Sequence, residues 1–478
     1  MHACSNTGNG GYILSTTREN RMSIVKVCCL VVSVVLLVGC GGISSSDGPA
    51  GGRGDIRAVN HVVMMLQQNR TFDNYFGQMT AYRRRNDIPI VSSDGKINDL
   101  SSGTHTNTVA QVGTIVMEHT GSVCTEDLSS DWNESHKEMN LSDPAAAGPN
   151  SPMDGFAQTA YDLGVYAASF GVNLTDTTGK RAMTYYDDSD LNYYYFMGSN
   201  FAISDALHTP VPSRFLNRLY LYGATSQGFA HAPTGQIDAK TIFQSLDDAG
   251  VSWKIYIPDT PQVTYLEYFT FYNLDSTKAH IFPLSQYFTD LENGTLPAVS
   301  VIEPALFTGR DEHPSNFDPT TGQTGATNVQ SGAEFVSTLM NALMRSSSWK
   351  DNVFLFAYDE GGGFYDHVPP ISVPSPDGVK PKDLAPTDPQ ADFTKSGFRV
   401  PNIIVSPFAR KHYVSHTPMD LTAFLRFIEK RWNLPTLTAR DASMPDMTEF
   451  FDFENPPWAT PPTPPVQNTN GACDFTKQ

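Results

Sequence analysis

The sequence is short of basic residues and has no long stretch in which Lys and Arg cluster. Its 478 residues contain 32 Lys and Arg against 50 Asp and Glu, which gives a formal net charge of −18. Nucleic-acid phosphates are bound by clustered Lys and Arg, so we expect no nucleic-acid partner. The acidity itself mainly favours solubility. The chain also lacks internal repeats and heptad runs.

Several common catalytic motifs are absent as well. The chain has no G-x-x-x-x-G-K-[ST] phosphate loop, no H-E-x-x-H helix and no G-x-S-x-G nucleophile elbow. The triplet Gly361-Gly362-Gly363 does not fit a dinucleotide fingerprint. Its simplest role is to let the backbone pass close to a site that begins at Asp359 and Glu360.

The apolar run at the amino terminus is short. Residues 27–38 follow Arg21 and Lys26 and end in Leu37-Val38-Gly39-Cys40, whereas a spanning helix needs about 20 apolar residues. This pattern resembles a bacterial lipoprotein signal, which predicts removal of residues 1–39, a lipid on Cys40 and a flexible tether at 40–54. The alternative is an ordinary secretory signal cut near the same place. Met22 is a second candidate for the start of translation.

Cysteines are few, and their positions agree with export to a bacterial cell envelope. Of the six cysteines, three would be removed with the signal and Cys40 would be acylated. Cys124 and Cys473 remain, and in an oxidising compartment we expect them to form a disulfide. That bond would hold a Pro-rich tail, residues 451–478, against the body. The expected location is lipid-anchored on the periplasmic side, or secreted.

From residue 55 to 450 the chain alternates strand and helix signals, with no linker that divides it. This alternation predicts an α/β domain with a mainly parallel sheet and helices on both faces. A polar stretch at 92–150 is typical of a long insertion near an active-site rim. The predicted strands are 61–66, 201–204, 252–257, 298–302, 353–358 and 402–405. The predicted helices are 189–201, 213–222, 241–249, 332–345 and 420–432.

Polar side chains directly follow two of these strands. Gln68 and Asn69 come after the first strand, and Asp359 and Glu360 come after the strand at 353–358. Ligands collect outside the carboxyl ends of parallel strands, and carboxylate and amide oxygens suit hard or borderline cations. The sequence therefore predicts one metal site built from both segments. The alternative is that both segments are polar strand-to-loop turns.

Five blocks in order resemble a bacterial phosphoesterase family, the one that contains phosphatidylcholine-type phospholipase C and the respiratory-burst-inhibiting acid phosphatase. The resemblance runs from about residue 58 to 445. The blocks are residues 61–77 (around Gln68-Asn69-Arg70-Thr71-Phe72-Asp73), Met153-Asp154-Gly155-Phe156, Asn217-Arg218-Leu219-Tyr220, 358–370 (beginning Tyr358-Asp359-Glu360-Gly361) and Arg399-Val400-Pro401-Asn402 onward to Pro407. The helix around 425–429 also fits.

The resemblance implies an alkaline-phosphatase-like α/β fold and hydrolysis of phosphoric esters. It also implies one divalent cation, of unknown identity, held by Gln68, Asn69, Asp359 and Glu360. Gln68 departs from the family pattern, which has glutamate there. The amide oxygen can still coordinate, but one negative charge is lost, which makes cation affinity less certain.

The family's nucleophile is a Ser or Thr shortly before the Asn-Arg pair, and Ser213 is the best match here. The spacing differs from the usual Thr/Ser-x-Pro-Asn-Arg. A helix start at Ser213 would favour an anionic oxygen and a bound phosphate, and the expected intermediate is a phosphoserine. The same position suits a plain N-cap serine, which is the alternative.

The remaining roles follow from what phosphoryl transfer requires. Asn217 and Arg218 are the candidates for binding the phosphoryl oxygens. His313 is the first candidate for acid–base catalysis, and the further histidine candidates for catalysis or substrate contact, each of which could instead be structural, are His136, His208 and His367. A family histidine near Trp132 corresponds to Ser130, which puts part of that apparatus in doubt.

The expected ligand is a phosphate ester or a phospholipid head group, the lipid anchor would provide membrane contact, and no obligatory protein partner is expected. The alternative is an envelope lipoprotein that binds phosphorylated ligands with weak or no turnover, because Gln68 and Ser130 both depart from the family pattern.

Overall fold

The fold is described from a computed structural model at residues 54–214, 216–258, 264–306, 308–315, 317–318, 323–324 and 327–478. The predicted signal at 1–39, Cys40 and the predicted tether up to residue 53 lie outside the described residues. The described residues group into one structural unit, so the Pro-rich tail belongs to the same unit as the rest of the described chain.

The described strands fall into one larger sheet and several short pairs. Their bounds are β1 (His61–Gln67), β2 (Thr106–Val109), β3 (Gly113–Val116), β4 (Glu118–His119), β5 (Thr184–Tyr185), β6 (Ile203–Ser204), β7 (Leu207–His208), β8 (Trp253–Ile257), β9 (Ile281–Pro283), β10 (Val299–Ile302), β11 (Phe317–Asp318), β12 (Gln323–Thr324), β13 (Asn352–Tyr358), β14 (Asn402–Val405), β15 (Val414–Ser415) and β16 (Met419–Asp420).

The larger sheet has six strands in the order β14, β13, β1, β10, β8, β9. All neighbours run parallel except β14, which is antiparallel to β13 at one edge. Every residue of β10, β13 and β14 is buried. Because successive side chains point to opposite faces, such strands must be covered on both sides, which is why they have continuous apolar runs. The α/β class with a mainly parallel sheet is confirmed.

Helices provide that cover. Their bounds are α1 (Phe72–Phe76), α2 (Met79–Arg85), α3 (Trp132–Met139), α4 (Phe156–Ser169), α5 (Asn192–Asn200), α6 (Leu216–Gly223), α7 (Ile242–Asp248), α8 (Asp275–Lys278), α9 (Ser285–Asn293), α10 (Val329–Arg345), α11 (Ala423–Trp432) and α12 (Ala439–Ala442). Among the described residues no helix has the length and apolarity required to cross a bilayer.

The helix predicted at 213–222 begins later, at Leu216, so Ser213 lies in a turn before it. The side chain of Asn217 holds this turn. Its Oδ1 accepts the Val211 N–H at 2.9 Å, and its Nδ2 donates to the Ser213 carbonyl at 2.7 Å. The second bond occupies the Ser213 carbonyl, which in a helix beginning there would accept the Asn217 N–H, and this favours the later start.

The polar stretch at 92–150 is an ordered layer and not a bare loop. It contains the antiparallel pair β2–β3, the short strand β4 and helix α3. Buried side chains such as Val109, Ile115 and Met139 join a second apolar cluster beside α4. The polar composition hid this because β2 buries only alternate residues and both residues of β4 are exposed.

Candidate active site at the carboxyl ends of β1 and β13

Strands β1 and β13 are paired in register, and Gln67 lies opposite Tyr358 at their ends. The two polar segments therefore leave the sheet side by side. The Asp359 N–H donates to the Gln67 carbonyl at 3.0 Å, and the Arg70 N–H donates to the Glu360 carbonyl at 2.9 Å. The structure brings the four predicted ligands, Gln68, Asn69, Asp359 and Glu360, to one edge of the sheet.

The close approach of the two segments depends on unusual backbone conformations. Asn69 has φ +62° and Gly362 has φ +64°. A Cβ atom at Gly362 would collide with the Asn69 side chain and backbone. Glycine is therefore required for steric reasons as well as for its positive φ. This agrees with the role predicted for the glycine triplet.

Two of the four oxygen donors at this edge of the sheet are in environments that a cation would stabilise. The Asn69 Oδ1 atom is buried without a hydrogen-bond partner. Glu360 is 5% exposed, and burial together with the neighbouring Asp359 raises the pKa of its carboxyl group to about 8. A buried acceptor and a crowded carboxylate pair are stabilised by a cation, so these residues fit a divalent ion with oxygen ligands.

Arg218 lies against Asp359 and not in an open pocket. Its Nε donates to Asp359 Oδ2 at 2.9 Å, and its Nη2 donates to the Leu66 carbonyl at 3.1 Å. Burial would lower the pKa of Arg218, but Asp359 raises it above its usual value. With 3% of the residue exposed, the guanidinium orients Asp359. The prediction that Arg218 binds substrate oxygens therefore has no support in its contacts.

The contacts of Asn217 likewise do not support a role in binding substrate, because it is fully buried and its amide forms the hydrogen bonds of the turn that carries Ser213. Ser213 itself is 4% exposed, and its hydroxyl donates to the Ala230 carbonyl at 2.8 Å. To attack a substrate, this hydroxyl would have to rotate away from that carbonyl. The helix-start argument for Ser213 is wrong, since α6 begins three residues later.

The neighbour of Ser213 was missed by the sequence reasoning. Arg214 leaves about half of its side chain exposed, and its Nε lies 3.4 Å from Asp131 Oδ1. Burial opposes the charge, but Asp131 and then Glu360 raise the pKa of Arg214. Arg214 is thus a cation that interacts electrostatically with the Glu360 carboxylate and is still exposed to solvent. A basic residue next to the proposed nucleophile was the available signal.

Two predicted histidines are buried and neutral. His136 Nδ1 lies 2.6 Å from the Trp132 carbonyl oxygen, and burial lowers its pKa to about 4. His208 Nδ1 lies 3.1 Å from the Gly397 carbonyl oxygen, and burial lowers its pKa to about 3. Among the described hydrogen bonds neither ring contacts the four oxygen donors. These contacts favour the structural alternative for both residues.

His367 belongs to a separate buried network. Its Nδ1 lies 2.6 Å from Asp73 Oδ2, and Arg399 donates to both Asp73 and Asp366 at 2.9 Å. Burial alone would lower the pKa of His367, but the Asp73 carboxylate raises it. The ligand atoms of Asp73, Asp366 and His367 are close enough to hold an ion. Because Arg399 is paired with both carboxylates and His367 with Asp73, we interpret this cluster as an ion-pair network.

His313 is partly exposed, and its Nδ1 lies 2.6 Å from the Pro314 carbonyl oxygen. A carbonyl oxygen can only accept, so the Nδ1 atom donates and the Nε2 atom is not used by this bond. His313 has no described hydrogen bond to the four oxygen donors, but the Gln68 N–H donates to the Asp311 carbonyl at 3.1 Å, which holds the loop of His313 beside them.

The residue before His313 was also missed. Glu312 is fully buried with φ +65°, and its carboxylate accepts hydroxyl hydrogen bonds from Tyr75, Tyr194 and Tyr358 at 2.6, 2.6 and 2.7 Å. Its own carbonyl accepts from Arg70 Nη2 at 2.6 Å. This network anchors the loop that carries His313. The tyrosines come from distant segments, so no local sequence pattern indicates this network.

Two further groups complete the surroundings. Ser130 donates to Glu360 Oε2, which places it at the candidate site. Glu138 on α3 is buried with Oε2 unpartnered, and burial followed by repulsion from Glu134 and Glu360 raises its pKa well above its usual value. The structure joins Cys124 and Cys473 in a disulfide across 349 residues of sequence.

Comparisons with known proteins show which family the chain resembles. A model of the phosphoesterase family matches residues 59–435. Non-specific phospholipase C4 of Arabidopsis thaliana is 30% identical over 385 residues, which is 75% of this chain and 64% of that protein. Non-hemolytic phospholipase C of Burkholderia pseudomallei is 26% identical over 475 residues, 86% of this chain and 61% of that protein. The chain thus spans less than two thirds of these two relatives.

A bacterial relative is matched over more of its length. Phospholipase C B of Mycobacterium tuberculosis is 27% identical over 454 residues, 84% of this chain and 80% of that protein. Among solved structures, a protein of the alkaline phosphatase superfamily from Vibrio parahaemolyticus matches 77% of this chain and 78% of its own, with 11% identity and a TM-score of 0.33. At that score no detail of the two sites can be compared.

Proposed function

The chain belongs to the phosphoesterase family, and from that premise we propose that it hydrolyses phosphoric esters at the carboxyl ends of β1 and β13. The observation that carries the proposal is the register of the two strands, which sets the unpartnered Asn69 Oδ1 beside the buried Asp359 and Glu360 carboxylates. Oxygen donors in this arrangement would hold one divalent cation, with the Gln68 amide as the fourth donor. When bound, such a cation polarises a phosphoryl oxygen and lowers the pKa of a nearby hydroxyl.

The chain's own residues then have distinct tasks. Arg214 binds the phosphoryl oxygens, because it is the exposed cation beside Ser213. Arg218 keeps Asp359 oriented through its 2.9 Å ion pair. Glu312 and its tyrosines hold the loop of His313 in place. These roles follow from burial, since only the first group is open to substrate.

The chemical step proceeds through Ser213. Its hydroxyl rotates away from the Ala230 carbonyl and gives its proton to solvent water, its oxygen forms a bond to phosphorus, and the bond from phosphorus to the leaving alcohol breaks. His313 donates the proton that the alcohol needs, through Nε2. A water oxygen then bonds to phosphorus as the bond from phosphorus to the Ser213 oxygen breaks; His313 takes the proton from that water, and the Ser213 oxygen regains a proton from solvent.

A second candidate function is binding of phosphorylated ligands without turnover. One observation favours it: the Ser213 hydroxyl is already bonded to Ala230 at 2.8 Å in a site where Gln68 contributes no charge. The two functions differ in whether product appears, and both require the same ligand class.

We propose that the substrate is a phosphomonoester, a phosphodiester or a phospholipid head group. The phospholipases C among the relatives favour phosphodiesters and phospholipid head groups. We also propose that the chain resides in a bacterial envelope, either anchored through a lipid on Cys40 or secreted. Mass spectrometry of the amino-terminal peptide from envelope fractions tests the anchor, because a free amino-terminal residue other than a modified Cys40 would contradict it.

The decisive experiment measures hydrolysis of p-nitrophenyl phosphate, its phosphocholine diester and phosphatidylcholine, each with a series of divalent cations. We expect cation-dependent turnover of at least one substrate. Ser213→Ala should lower it by roughly a hundred-fold or more, since the covalent route is lost. Ser226→Ala is the matched control, because Ser226 is equally buried and donates to the Phe229 carbonyl at 2.7 Å.

Both serine variants should lose about 1 kcal/mol of stability from the missing hydrogen bond. Turnover that persists in Ser213→Ala at the level of Ser226→Ala would show that Ser213 is not the nucleophile. Ligand binding without product from any substrate would select the second function.

A further inference from the structure

An open cleft of about 650 Å³ lies between the short 3-10 turn Pro144–Ala146 and the loop at 380–395. Three lysines line it, namely Lys380, Lys382 and Lys395, and we call it the lysine cleft. The rest of its wall mixes apolar residues (Ala145, Ala146, Ala147, Pro381, Leu384 and Ala391) with polar ones (Gln390, Asp392 and Thr394). The three lysines form a local basic face in a chain whose net charge is −18.

The positive charge of the lysine cleft is compensated only in part. Asp392 is the one carboxylate among the described lining residues. Burial would raise the pKa of Asp392, but hydrogen bonds from Thr394 and then the charges of Lys395 and Lys380 lower it. Among the described residues none of the three ammonium groups forms an ion pair. Lys395 Nζ donates to Thr394 Oγ1 at 3.0 Å, and Lys382 Nζ lies 3.7 Å from the centre of the Phe229 ring. The lining therefore has two more positive than negative groups.

Other acids of the same loop are turned away from the cleft. Asp383 accepts the N–H groups of Ala230 and His231 at 2.8 and 3.1 Å. Asp388 accepts from Asn133 Nδ2 at 2.9 Å. These bonds hold the loop against the body of the protein and leave the lysines outside. The separation of charge is thus fixed by contacts and is not a chance of loop conformation.

The same contacts connect the lysine cleft to the candidate active site. Ala230 donates to Asp383 through its N–H and accepts the Ser213 hydroxyl through its carbonyl. On the other side Trp132 Nε1 donates to the Pro389 carbonyl at 3.0 Å, and Trp132 begins the helix after Ser130 and Asp131. The cleft and the site therefore share the same supporting segments.

We propose that the lysine cleft docks the chain on the phosphate groups of an anionic phospholipid surface. Lysine stems can lie along the alanines and Leu384 while their ammonium groups meet lipid phosphates. The Lys395 stem already packs on Gly148, where a Cβ atom would come within 3.3 Å of Lys395 Cε. A net-acidic chain is repelled by such a surface except at a local basic face, so the cleft also sets the orientation of docking.

The experiment measures sedimentation of the full chain with two kinds of vesicle, phosphatidylcholine alone and phosphatidylcholine mixed with phosphatidylglycerol. We expect stronger binding to the mixed vesicles, falling as salt is added, because salt screens exposed charges. The triple variant Lys380→Gln, Lys382→Gln, Lys395→Gln should weaken binding to mixed vesicles by roughly a hundred-fold, about five-fold for each lysine. Any attachment by a lipid or apolar segment acts on both vesicles and cancels in the comparison.

The matched control is Lys240→Gln, Lys278→Gln, Lys430→Gln, which removes the same charge outside the cleft. It should bind the mixed vesicles as the wild type does. Equal binding of the wild type to both vesicles, or equal losses in the two triple variants, would overturn the proposal. Calorimetry with inorganic phosphate tests whether the cleft instead binds free phosphate. If phosphate binding depended on the three lysines and the protein showed no preference for mixed vesicles, the cleft would be a site for soluble ligands, and the docking proposal would be overturned.

Vesicle binding is measured in the presence of a chelator, which withholds the cation that the proposed hydrolysis of phosphatidylcholine requires, so its outcome is independent of that hydrolysis. Hydrolysis of p-nitrophenyl phosphate, a small soluble ester, should be the same in the wild type and in both triple variants.

Discussion

Gln68 and Asn69 contribute amide oxygens at the strand edge, so Asp359 and Glu360 supply the negative charge. Glutamate at position 68 would add a third carboxylate to a buried pair that already repels, as the raised pKa of Glu360 indicates. Gln68→Glu should therefore lower the stability of the cation-free protein. It should also tighten the Kd for a divalent cation by roughly ten-fold, because ligand charge tunes such sites. Calorimetric titration and thermal unfolding with and without cation measure both effects.

The control for Gln68→Glu is Gln78→Glu, which adds the same charge at the residue preceding helix α2. It should leave the cation affinity unchanged. An identical titration for the wild type and Gln68→Glu would contradict the assignment of position 68 to the cation site.

The buried His136 makes a prediction about acid stability. Its pKa is about 4 in the folded chain against 6.5 for the ordinary side chain. Below pH 6.5 the unfolded chain takes up a proton that the folded chain refuses, so stability is lost as pH falls from 6.5 to 4. The loss approaches 1.4 kcal/mol per pH unit, or about 3 kcal/mol in all.

His136→Gln keeps an amide that can donate to the Trp132 carbonyl but does not titrate. The unfolding free energy of each protein is measured with urea at several pH values and expressed relative to its own value at pH 7. Between pH 6.5 and pH 4 this free energy should fall by about 3 kcal/mol less in the variant than in the wild type. Parallel pH profiles for the two proteins would mean that His136 is protonated in the folded state.

At the residue scale, the sequence could predict that Gln68, Asn69, Asp359 and Glu360 lie together at one edge of the sheet, because the two segments that contain them directly follow apolar strands. It could not identify Glu138 or Glu312 as site residues. Their importance comes from burial, and the groups that contact them belong to segments far along the chain. It also assigned Arg218 to substrate, because a sequence does not reveal that Asp359 occupies its guanidinium.

At the scale of elements, strands were easier to predict than helix starts. The runs at 353–358 and 402–405 match β13 and β14 within one residue, because a fully buried strand has a sharp apolar boundary. The α6 start was misplaced by three residues, since side-chain bonds of Asn217 hold the preceding turn. The antiparallel direction of β14 could not be predicted, because burial pattern does not encode strand direction.

The loop from Asp311 to Ser315 illustrates how an element is held by one side chain. Glu312 receives three tyrosine hydroxyls, and Gly332 leaves the space that its side chain needs. Tyr194→Phe removes one hydrogen bond to this charged acceptor and should cost about 2 kcal/mol, measured by urea unfolding. Tyr195→Phe should cost about 1 kcal/mol, because Tyr195 donates to the neutral Tyr186 carbonyl at 3.2 Å.

Tyr195 is a close control because it is the next residue on α5 and is also fully buried. If both variants lost the same free energy, the Glu312 carboxylate would not act as a charged anchor. Turnover measurements test whether Glu312 also positions His313. A shift in the pH profile of kcat in Tyr194→Phe, and not in Tyr195→Phe, would indicate that it does.

At the scale of the whole molecule, the site depends on pairing between segments almost three hundred residues apart, since β1 and β13 lie side by side. The carboxyl-terminal tail adds a second long-range constraint. The Val123 N–H donates to the Ala472 carbonyl at 3.0 Å, and the Gly121 N–H donates to the Lys477 carbonyl at 2.8 Å. The Cys124–Cys473 disulfide fixes this contact covalently.

A bond across 349 residues restricts the unfolded chain far more than the folded one. The double variant Cys124→Ser, Cys473→Ser should therefore lose up to about 5 kcal/mol of unfolding free energy. Because the loss arises in the unfolded chain, the cation Kd of the folded variant should match that of the wild type. Reductant should destabilise the wild type to the same extent and leave the double variant unchanged. If reductant did not change the unfolding free energy of the wild type, and both cysteines were recovered as free thiols, the tail would be held by its backbone hydrogen bonds alone.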